Sequence, residues 1–258
     1  MKYTPHEYQQ FCIDYLLDHP AAGLFLKPGM GKTSVALTVA DRLLYDSFEV
    51  SKVLVIAPLR VAEDTWSRES EKWDHLRHLR ISKVLGSAQQ RRAALVRSAD
   101  IYCINRENVA WLVKYYGLNW PFDTVIIDEL SSFRNPSSQR FKALRKVRPL
   151  IKHLWGLTGT PRPRSLLDLW AQVYLLDQGE RLGRTFTAYR NQYFAPGRQN
   201  GYVIYEWKPR PGAEDQVYSL ISDICVSLET KGNVKMPELV ETVRPVVLSP
   251  EACALYES

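Results

Sequence analysis

The sequence has no apolar run longer than a β-strand, so it predicts no transmembrane helix. Its N-terminal segment, MKYTPHEYQQF, lacks the apolar core of a signal peptide. The cysteines are scattered without a CxxC pair, which argues against a zinc cluster and indicates a reducing compartment. They are Cys12, Cys103, Cys225 and Cys253. We therefore expect a protein that does not associate with a membrane. Its expected location is the bacterial cytoplasm, or the host cytoplasm if the source is viral, and a nuclear location stays an alternative.

Acidic residues are missing between Leu130 and Leu167, although this region contains many lysines and arginines. A solvated helix face usually mixes both signs for pairing at i, i+4. The one-sided run therefore favours a polyanion partner over a merely solvated face. The net charge of +6 is compatible with nucleic acid but does not prove it. The basic residues of the run are Arg134, Arg140, Lys142, Arg145, Lys146, Arg148, Lys152, Arg162 and Arg164.

What the sequence does contain is a glycine-rich loop between an apolar strand and a helix, GLFLKPGMGKT at residues 23–33. Backbone N–H groups of such a loop can bind phosphates. A glycine-rich loop alone could be a simple turn, but its position between a strand and a helix favours phosphate binding. We expect Lys32 to reach the β- and γ-phosphates of ATP, and Thr33 to ligate Mg²⁺. The first Walker glycine is absent, because Leu26 stands there. The cofactor-binding loop is predicted to comprise Pro28, Gly29, Met30, Gly31, Lys32, Thr33 and Ser34.

A second apolar strand, at residues 124–127, ends in two adjacent carboxylates, Asp128 and Glu129. A solvated strand end or a helix cap is the structural alternative, but carboxyl ends of parallel strands are where ligands bind in such sheets. Asp128 would hold Mg²⁺ through water, and Glu129 would polarise the attacking water. Lys32, Asp128 and Glu129 are therefore the predicted catalytic residues, with ATP and Mg²⁺ as cofactors.

Strands alternate with helices, which predicts an α/β fold with a doubly wound, mostly parallel sheet. The predicted strands are Ala22–Leu26, Lys52–Ala57, Lys83–Leu85, Asp100–Ile104, Thr124–Ile127 and His153–Leu157. The predicted helices are Lys32–Leu44, Val61–Trp73, Ala88–Arg97, Val109–Tyr116 and Ser138–Val147. Beyond residue 176 the pattern changes, with a hairpin arm at Gly201–Trp207, a helix at Val217–Leu228 and a strand at Glu241–Leu248. This divides the chain into a lobe (1–176), a helical and β-hairpin insertion or bracket (177–235), and a closing segment (236–258).

Further motifs occur in a fixed order: HEYQ at 6–9, LVIAP at 54–58, a W…E..KW pattern at 66–73, DELSSFRNPSS at 128–138, TGTP at 158–161 and DLW at 168–170. In this order they resemble the N-terminal RecA-like lobe of a Snf-type helicase superfamily two ATPase, a P-loop NTPase. The resemblance implies that Gln9 reads the adenine edge. Trp66 and Trp73 match the family pattern as well, but for these tryptophans we favour a packing role. The resemblance also implies nucleic acid contacts at Pro58, Arg60, Arg134, Asn135, Ser137, Thr158, Thr160, Arg162 and Arg164.

The chain departs from the family pattern at three places. Leu26-Lys27-Pro28 precedes the glycine-rich loop where the family usually has Asp-Glu-Met, which adds a cation beside the loop. Ser131 replaces the histidine of DEAH, and Arg162-Pro163-Arg164 follows the TGTP segment in place of Gln-Asn. The family also needs a second RecA-like lobe with arginine fingers, which residues 177–258 cannot supply. We therefore expect a second lobe C-terminal to this chain. Alone, the chain is expected to be a monomer that binds ATP weakly and hydrolyses it negligibly.

The resemblance implies the ATP-binding lobe of a DNA-dependent ATPase that translocates on double-stranded DNA. Two alternatives stay open from the sequence: an unwinding helicase acting on RNA or DNA, and a nucleotide-gated nucleic-acid-binding module without turnover. The aromatic and basic segment Arg181–Arg198 is either a DNA-contacting insertion or a packed bracket on the lobe.

Overall fold

The computed structural model describes residues 1–159, 165–200 and 203–228. Its strands, in chain order, are β1 (Ala21–Leu26), β2 (Val53–Ala57), β3 (Ile81–Val84), β4 (Ile101–Asn105), β5 (Thr124–Asp128), β6 (His153–Thr158), β7 (Phe194–Pro196), β8 (Gln199–Asn200), β9 (Val203–Ile204), β10 (Trp207–Pro209) and β11 (Cys225–Leu228). Its α-helices are α1 (Glu7–Asp18), α2 (Lys32–Asp41), α3 (Trp66–Lys72), α4 (Ala88–Val96), α5 (Val109–Tyr116), α6 (Gln139–Val147), α7 (Leu169–Asp177), α8 (Phe186–Tyr193) and α9 (Ala213–Ile221).

Seven strands form one parallel sheet in the order β11-β1-β6-β5-β2-β4-β3. Apolar side chains alternate between its two faces. Leu54 and Ile56 of β2 belong to one buried cluster, whereas Val53 and Val55 belong to the other. A strand covered on both faces reads as a continuous apolar run, as this one does. The predicted doubly wound α/β fold, RecA-like in topology, is confirmed.

Four predicted elements differ from the structure. The helix predicted at Lys32–Leu44 is α-helical only to Asp41 and continues as a π-helical turn, Arg42–Asp46. The third strand covers Ile81–Val84 and not Lys83–Leu85, and the helix predicted at Val61–Trp73 begins with a π-helical turn, Val61–Thr65, before α3. The helix predicted at Val217–Leu228 is wrong at its C-terminal end, because α9 ends at Ile221 and β11 follows as a strand parallel to β1. A four-residue apolar segment carries no periodicity of its own, so its pairing partner decides its conformation.

The segment after α7 packs on the lobe. Tyr189, Tyr193 and Phe194 are buried, and the Tyr189 hydroxyl donates to the carbonyl of Leu166 at 2.8 Å. These contacts support the packed bracket over the DNA-contacting insertion. Strands β7 and β10 pair antiparallel, as do β8 and β9. The domain boundary at residue 176 stays a prediction, and the closing segment 236–258, with the strand predicted at Glu241–Leu248, lies outside the described residues.

None of the helices in the described ranges has the length and apolar character needed to cross a bilayer.

Candidate nucleotide site and neighbouring basic surface

The loop between β1 and α2 has a backbone suited to phosphate binding. Gly29 and Gly31 adopt φ angles of 84° and 74°, a region that glycine enters at little cost. Gly31 is the N-cap of α2, and no side chain caps this helix end. Because the first N–H groups of a helix have no intrahelical acceptor, this end can receive the oxygens of an anion.

Lys32 is folded over the loop that carries it. Its ammonium group donates to the carbonyl of Leu26 at 2.7 Å and to that of Lys27 at 3.2 Å. Burial lowers the pKa of Lys32, and the charges of Asp128 and Glu129 oppose that shift. The predicted phosphate-binding cation therefore lies close enough to both predicted catalytic carboxylates to interact with them electrostatically.

Asp128 ends β5 and is held by a donor that the sequence did not indicate. The indole Nε1–H of Trp66 donates to Asp128 Oδ2 at 3.1 Å, and Trp66 has no exposed surface. Burial raises the pKa of Asp128, while the Trp66 hydrogen bond and the Lys32 charge lower it. Trp66 is a packing residue, as expected, but it also binds the predicted magnesium ligand. Trp66 and Asp128 are 62 residues apart in the chain, so the sequence alone did not predict this contact.

Glu129 has an unusual backbone conformation, with φ 65° and ψ 63°, which is uncommon for a residue other than glycine. Its Oε1 accepts from the hydroxyl of Ser131 and from that of Thr158, the latter at 3.3 Å. Ser131, which stands in place of the DEAH histidine, thus contacts the predicted catalytic carboxylate. Backbone strain of this kind concentrates at functional sites.

The end of β6 meets both parts of the site. Thr158 is 2% exposed and binds Glu129, so the structure brings this predicted nucleic acid contact to the carboxylates and not to the exposed surface. The next residue, Gly159, packs against the loop: a Cβ placed on it would lie 3.4 Å from Pro28 and 3.9 Å from Lys32 Nζ. A side chain at residue 159 would therefore occupy space beside the predicted phosphate-binding lysine.

Gln9, the predicted adenine reader, packs against the loop. Its Nε2 donates to the carbonyl of Met30 at 3.3 Å, and its Oε1 accepts from the backbone N–H of His6 at 3.0 Å. Tyr8 donates its hydroxyl to the same Met30 carbonyl. Met30 is buried, and Ser34 donates to the carbonyl of Gly31. These residues brace the loop, and base recognition by Gln9 stays a prediction.

A cavity of about 390 Å³ opens beside the loop. Its lining residues are Tyr3, Thr4, His6, Gln9, Gly29, Gly31, Lys32, Thr33, Ser34, Thr65, Glu69, Lys72 and Trp73. Sequence reasoning missed Tyr3, Lys72 and Trp73 as cavity residues. Trp73 packs edge-on against Tyr3 with ring centroids 5.0 Å apart, and the Lys72 ammonium lies 4.5 Å from the Trp73 ring centroid. The Lys72-Trp73 pair in the W…E..KW pattern could have indicated their place in this cavity, but a packing role was a sufficient explanation of the pattern.

A second cavity, of about 440 Å³, is bordered by Glu129. Its lining residues are Arg106, Glu129, Ser131, Ser132, Arg134, Asn135, Ser138 and Arg140. The structure therefore brings Arg134 and Asn135 together, while the backbone N–H of Ser137 donates to Asn135 Oδ1 at 2.8 Å. Pro58 and Arg60 follow β2 and do not line this cavity, although Arg60 is exposed. Thr160, Arg162 and Arg164 lie outside the described residues.

Helix α6 presents an exposed basic surface made of Lys142, Arg145 and Lys146. The prediction that the whole basic run between Leu130 and Leu167 faces a polyanion is wrong for Arg148. This residue is 6% exposed, and its guanidinium donates to the carbonyls of Leu175, Leu176 and Ile151 at 2.5, 2.6 and 3.0 Å. Arg148 holds the lobe together and is not available to a polyanion.

The sheet order, the glycine-rich loop after β1 and the carboxylate pair at the end of β5, with β6 between these two strands, define a RecA-like P-loop domain. The profile of the SNF2-related domain family matches residues 8–258. The chain belongs to this family. It is therefore the N-terminal lobe of a Snf2-type superfamily two ATPase, as the sequence predicts.

Individual relatives agree. Protein p41 of Acyrthosiphon pisum secondary endosymbiont phage 1 is 38% identical over 99% of this chain and 57% of its own length. The ATP-dependent helicase FUN30 of Saccharomyces cerevisiae is 33% identical over 55% of this chain and 13% of its own length. The fold is similar to that of the Sulfolobus solfataricus SWI2/SNF2 ATPase core in complex with dsDNA, with a TM-score of 0.70, 22% identity, and coverage of 88% of this chain and 45% of that one. The chain thus spans about half the length of the phage relative and of the solved core.

Proposed function

We propose that this chain is the ATP-binding lobe of a DNA-dependent ATPase that translocates on double-stranded DNA, with hydrolysis depending on a second RecA-like lobe. One observation carries the proposal: the end of β6 joins the two predicted parts of the site, because Thr158 binds Glu129 and Gly159 packs against Pro28 and beside Lys32. Glu129 also lines the cavity that holds Arg134 and Asn135. The predicted catalytic carboxylate is therefore connected through β6 to the glycine-rich loop, and it also lines a cavity that contains basic side chains.

The donor set fits ATP and Mg²⁺. The uncapped end of α2 and the Lys32 ammonium suit phosphate oxygens. The Thr33 hydroxyl and the Asp128 carboxylate are oxygen ligands of the kind Mg²⁺ takes in phosphate sites. When bound, Mg²⁺ neutralises charge on the phosphates. Glu129, held by Ser131 and Thr158, is the residue that would accept a proton from the attacking water.

The polyanion is assigned to double-stranded DNA on two grounds. The solved SWI2/SNF2 core of similar fold is a complex with dsDNA. In this chain, Arg134 and the exposed cations of α6 offer positive charge, and charge of this kind favours contact with phosphates. Binding should therefore be sensitive to salt and tolerant of sequence.

The second lobe is inferred from the family. An arginine finger contributes roughly 10³–10⁵-fold to phosphoryl transfer in related NTPases. Closure of two lobes on ATP and opening after hydrolysis would move the protein along the duplex. A monomer and a cytoplasmic location stay predictions beside this proposal.

The test is ATP hydrolysis with and without duplex DNA, single strands or RNA, by this chain alone and by the chain together with a second RecA-like lobe. We expect turnover only in the two-lobed protein, stimulated most by duplex, and lost in Glu129→Gln. Stimulation by RNA alone would exclude the duplex translocase. Rapid duplex-stimulated turnover by the isolated chain would exclude the dependence on a second lobe.

A further inference from the structure

Trp66 links the wall of the nucleotide cavity to the Asp128 carboxylate, a connection that the proposed function does not use. Trp66 begins α3, directly after the π-helical turn Val61–Thr65, a type of turn found often at functional sites. Its neighbours Thr65 and Glu69 line the nucleotide cavity, while its own indole reaches Asp128. One short helix therefore contributes to the nucleotide cavity and holds the end of β5.

The contact with Asp128 is more than a way to satisfy a buried donor. A buried indole N–H needs an acceptor, and most such donors find a carbonyl or water. Trp155, in the same buried cluster, uses a backbone acceptor of this common kind. It has no exposed surface, and its Nε1–H donates to the carbonyl of His19 at 3.1 Å. Trp66 donates at the same distance, but to one oxygen of the predicted magnesium ligand.

The hydrogen bond restricts the carboxylate of Asp128. With Oδ2 engaged by a side chain that the core holds rigidly, rotation about the terminal torsion is hindered, and Oδ1 is left as the second acceptor. Neighbouring groups that orient a metal-binding carboxylate typically change metal affinity or activity by 10–100-fold when removed.

We propose that Trp66 is a positioning residue, which fixes the orientation of the Asp128 carboxylate for magnesium-dependent nucleotide binding. The proposal rests on the proposed function, because it presupposes that the loop and Asp128 bind Mg²⁺ and ATP together. Trp66 touches neither the nucleotide nor the metal in this role and acts through Asp128 alone.

The first experiment compares Trp66→Phe with its matched control, Trp155→Phe, in equilibrium binding of a fluorescent ATP analogue with Mg²⁺ and with EDTA. Both variants delete a buried indole N–H and keep an aromatic ring. We expect Trp66→Phe to weaken binding about tenfold with Mg²⁺ and to leave binding in EDTA unchanged. Trp155→Phe should change neither affinity. In an Asp128→Asn background, Trp66→Phe should cause no further loss.

The outcomes separate this inference from the proposed function. Equal effects of the two tryptophan variants, or the same loss with EDTA as with Mg²⁺, would overturn the positioning role and leave the nucleotide site standing. No magnesium-dependent binding by the wild-type chain would overturn the proposed function and this inference together.

A measurement on the wild-type chain does not depend on whether Trp66→Phe folds. The indole N–H resonance of Trp66 should shift in NMR spectra when Mg²⁺ is added to the nucleotide-bound protein, while that of Trp155 should stay in place. Unchanged or equally shifted resonances would contradict the proposal.

Discussion

The hydroxyl of Thr158 donates to Oε1 of Glu129 at 3.3 Å, which ties the end of β6 to the residue after β5. The same oxygen accepts from Ser131. Gly159, next in the chain, packs against Pro28 and beside Lys32. Residues 158 and 159 therefore contact both Glu129 and the glycine-rich loop, so a displacement of this segment would change the surroundings of both.

Replacing Thr158 with valine keeps the shape and removes the donor. We expect the turnover number of the two-lobed protein to fall roughly tenfold, because one of two donors that orient the general base is lost, while the KM for ATP stays unchanged. Thr124→Val, which removes another buried hydroxyl from the neighbouring strand β5, is the control. Steady-state ATPase assays check this, and a change in KM alone would contradict it.

Lys32→Ala should weaken binding of magnesium–ATP by at least roughly tenfold, because hydrogen bonds to charged groups contribute about 1.5–3 kcal/mol. The fold should persist, since the lysine ammonium donates only to two loop carbonyls among its described contacts. Lys27→Ala removes the neighbouring cation and separates a specific contact from a general charge effect. Equal losses in the two variants, measured by calorimetry, would count against Lys32 as a phosphate ligand.

Arg148→Met should lower the free energy of unfolding by roughly 2–4 kcal/mol, because three buried carbonyls lose their donor. Arg145→Met is the matched control: Arg145 is exposed and lies over the Tyr174 ring, so its loss should cost less than about 1 kcal/mol. Urea unfolding monitored by circular dichroism measures both. If Arg148→Met weakened DNA binding and left stability intact, the structural role assigned to Arg148 would be wrong.

Stability should decline as the pH falls through the range in which one half-buried histidine, His153, takes up a proton. Burial lowers the pKa of His153 below its usual 6.5. The unfolded chain therefore takes up the proton at a higher pH than the folded chain does, so this contribution is complete above about pH 6.5 and is lost as the pH approaches the folded value. His153→Asn should flatten the decline between pH 7 and pH 5 in urea unfolding. Parallel declines in the two proteins would exclude His153 as the cause.

Arg134→Ala should weaken duplex binding by the two-lobed protein to a similar degree on all sequences and reduce the slope of log affinity against log salt by about one. Arg134 is exposed and lines the second cavity, so its loss should leave the fold intact. Lys83→Ala removes a cation from β3, at the far edge of the sheet, and should change neither quantity. A sequence-dependent loss would point to base contacts instead.

The positions of the glycine-rich loop and the carboxylate pair at strand ends could be predicted from sequence because each feature is local, while their roles in binding and hydrolysing ATP stay predictions. The partners of these groups could not be predicted. Trp66 meets Asp128 only because β2 and β5 are neighbours in the sheet, and Arg148 is sequestered only because α7 ends beside it. Strand β11 escaped prediction for the same reason, since its conformation depends on β1, far away in sequence.

The pairing of β11 with β1 also has a mechanical consequence. Strand β1 leads directly into the phosphate loop, and Gly23 to Leu26 lie opposite Cys225 to Leu228. A chain cut after residue 176 would leave β1 as a bare apolar edge, open to pairing with other chains. Conversely, any pull on β11 acts on the strand that bears the glycine-rich loop, so tension applied there would be transmitted to the predicted ATP site through the hydrogen bonds and side-chain packing between β11 and β1.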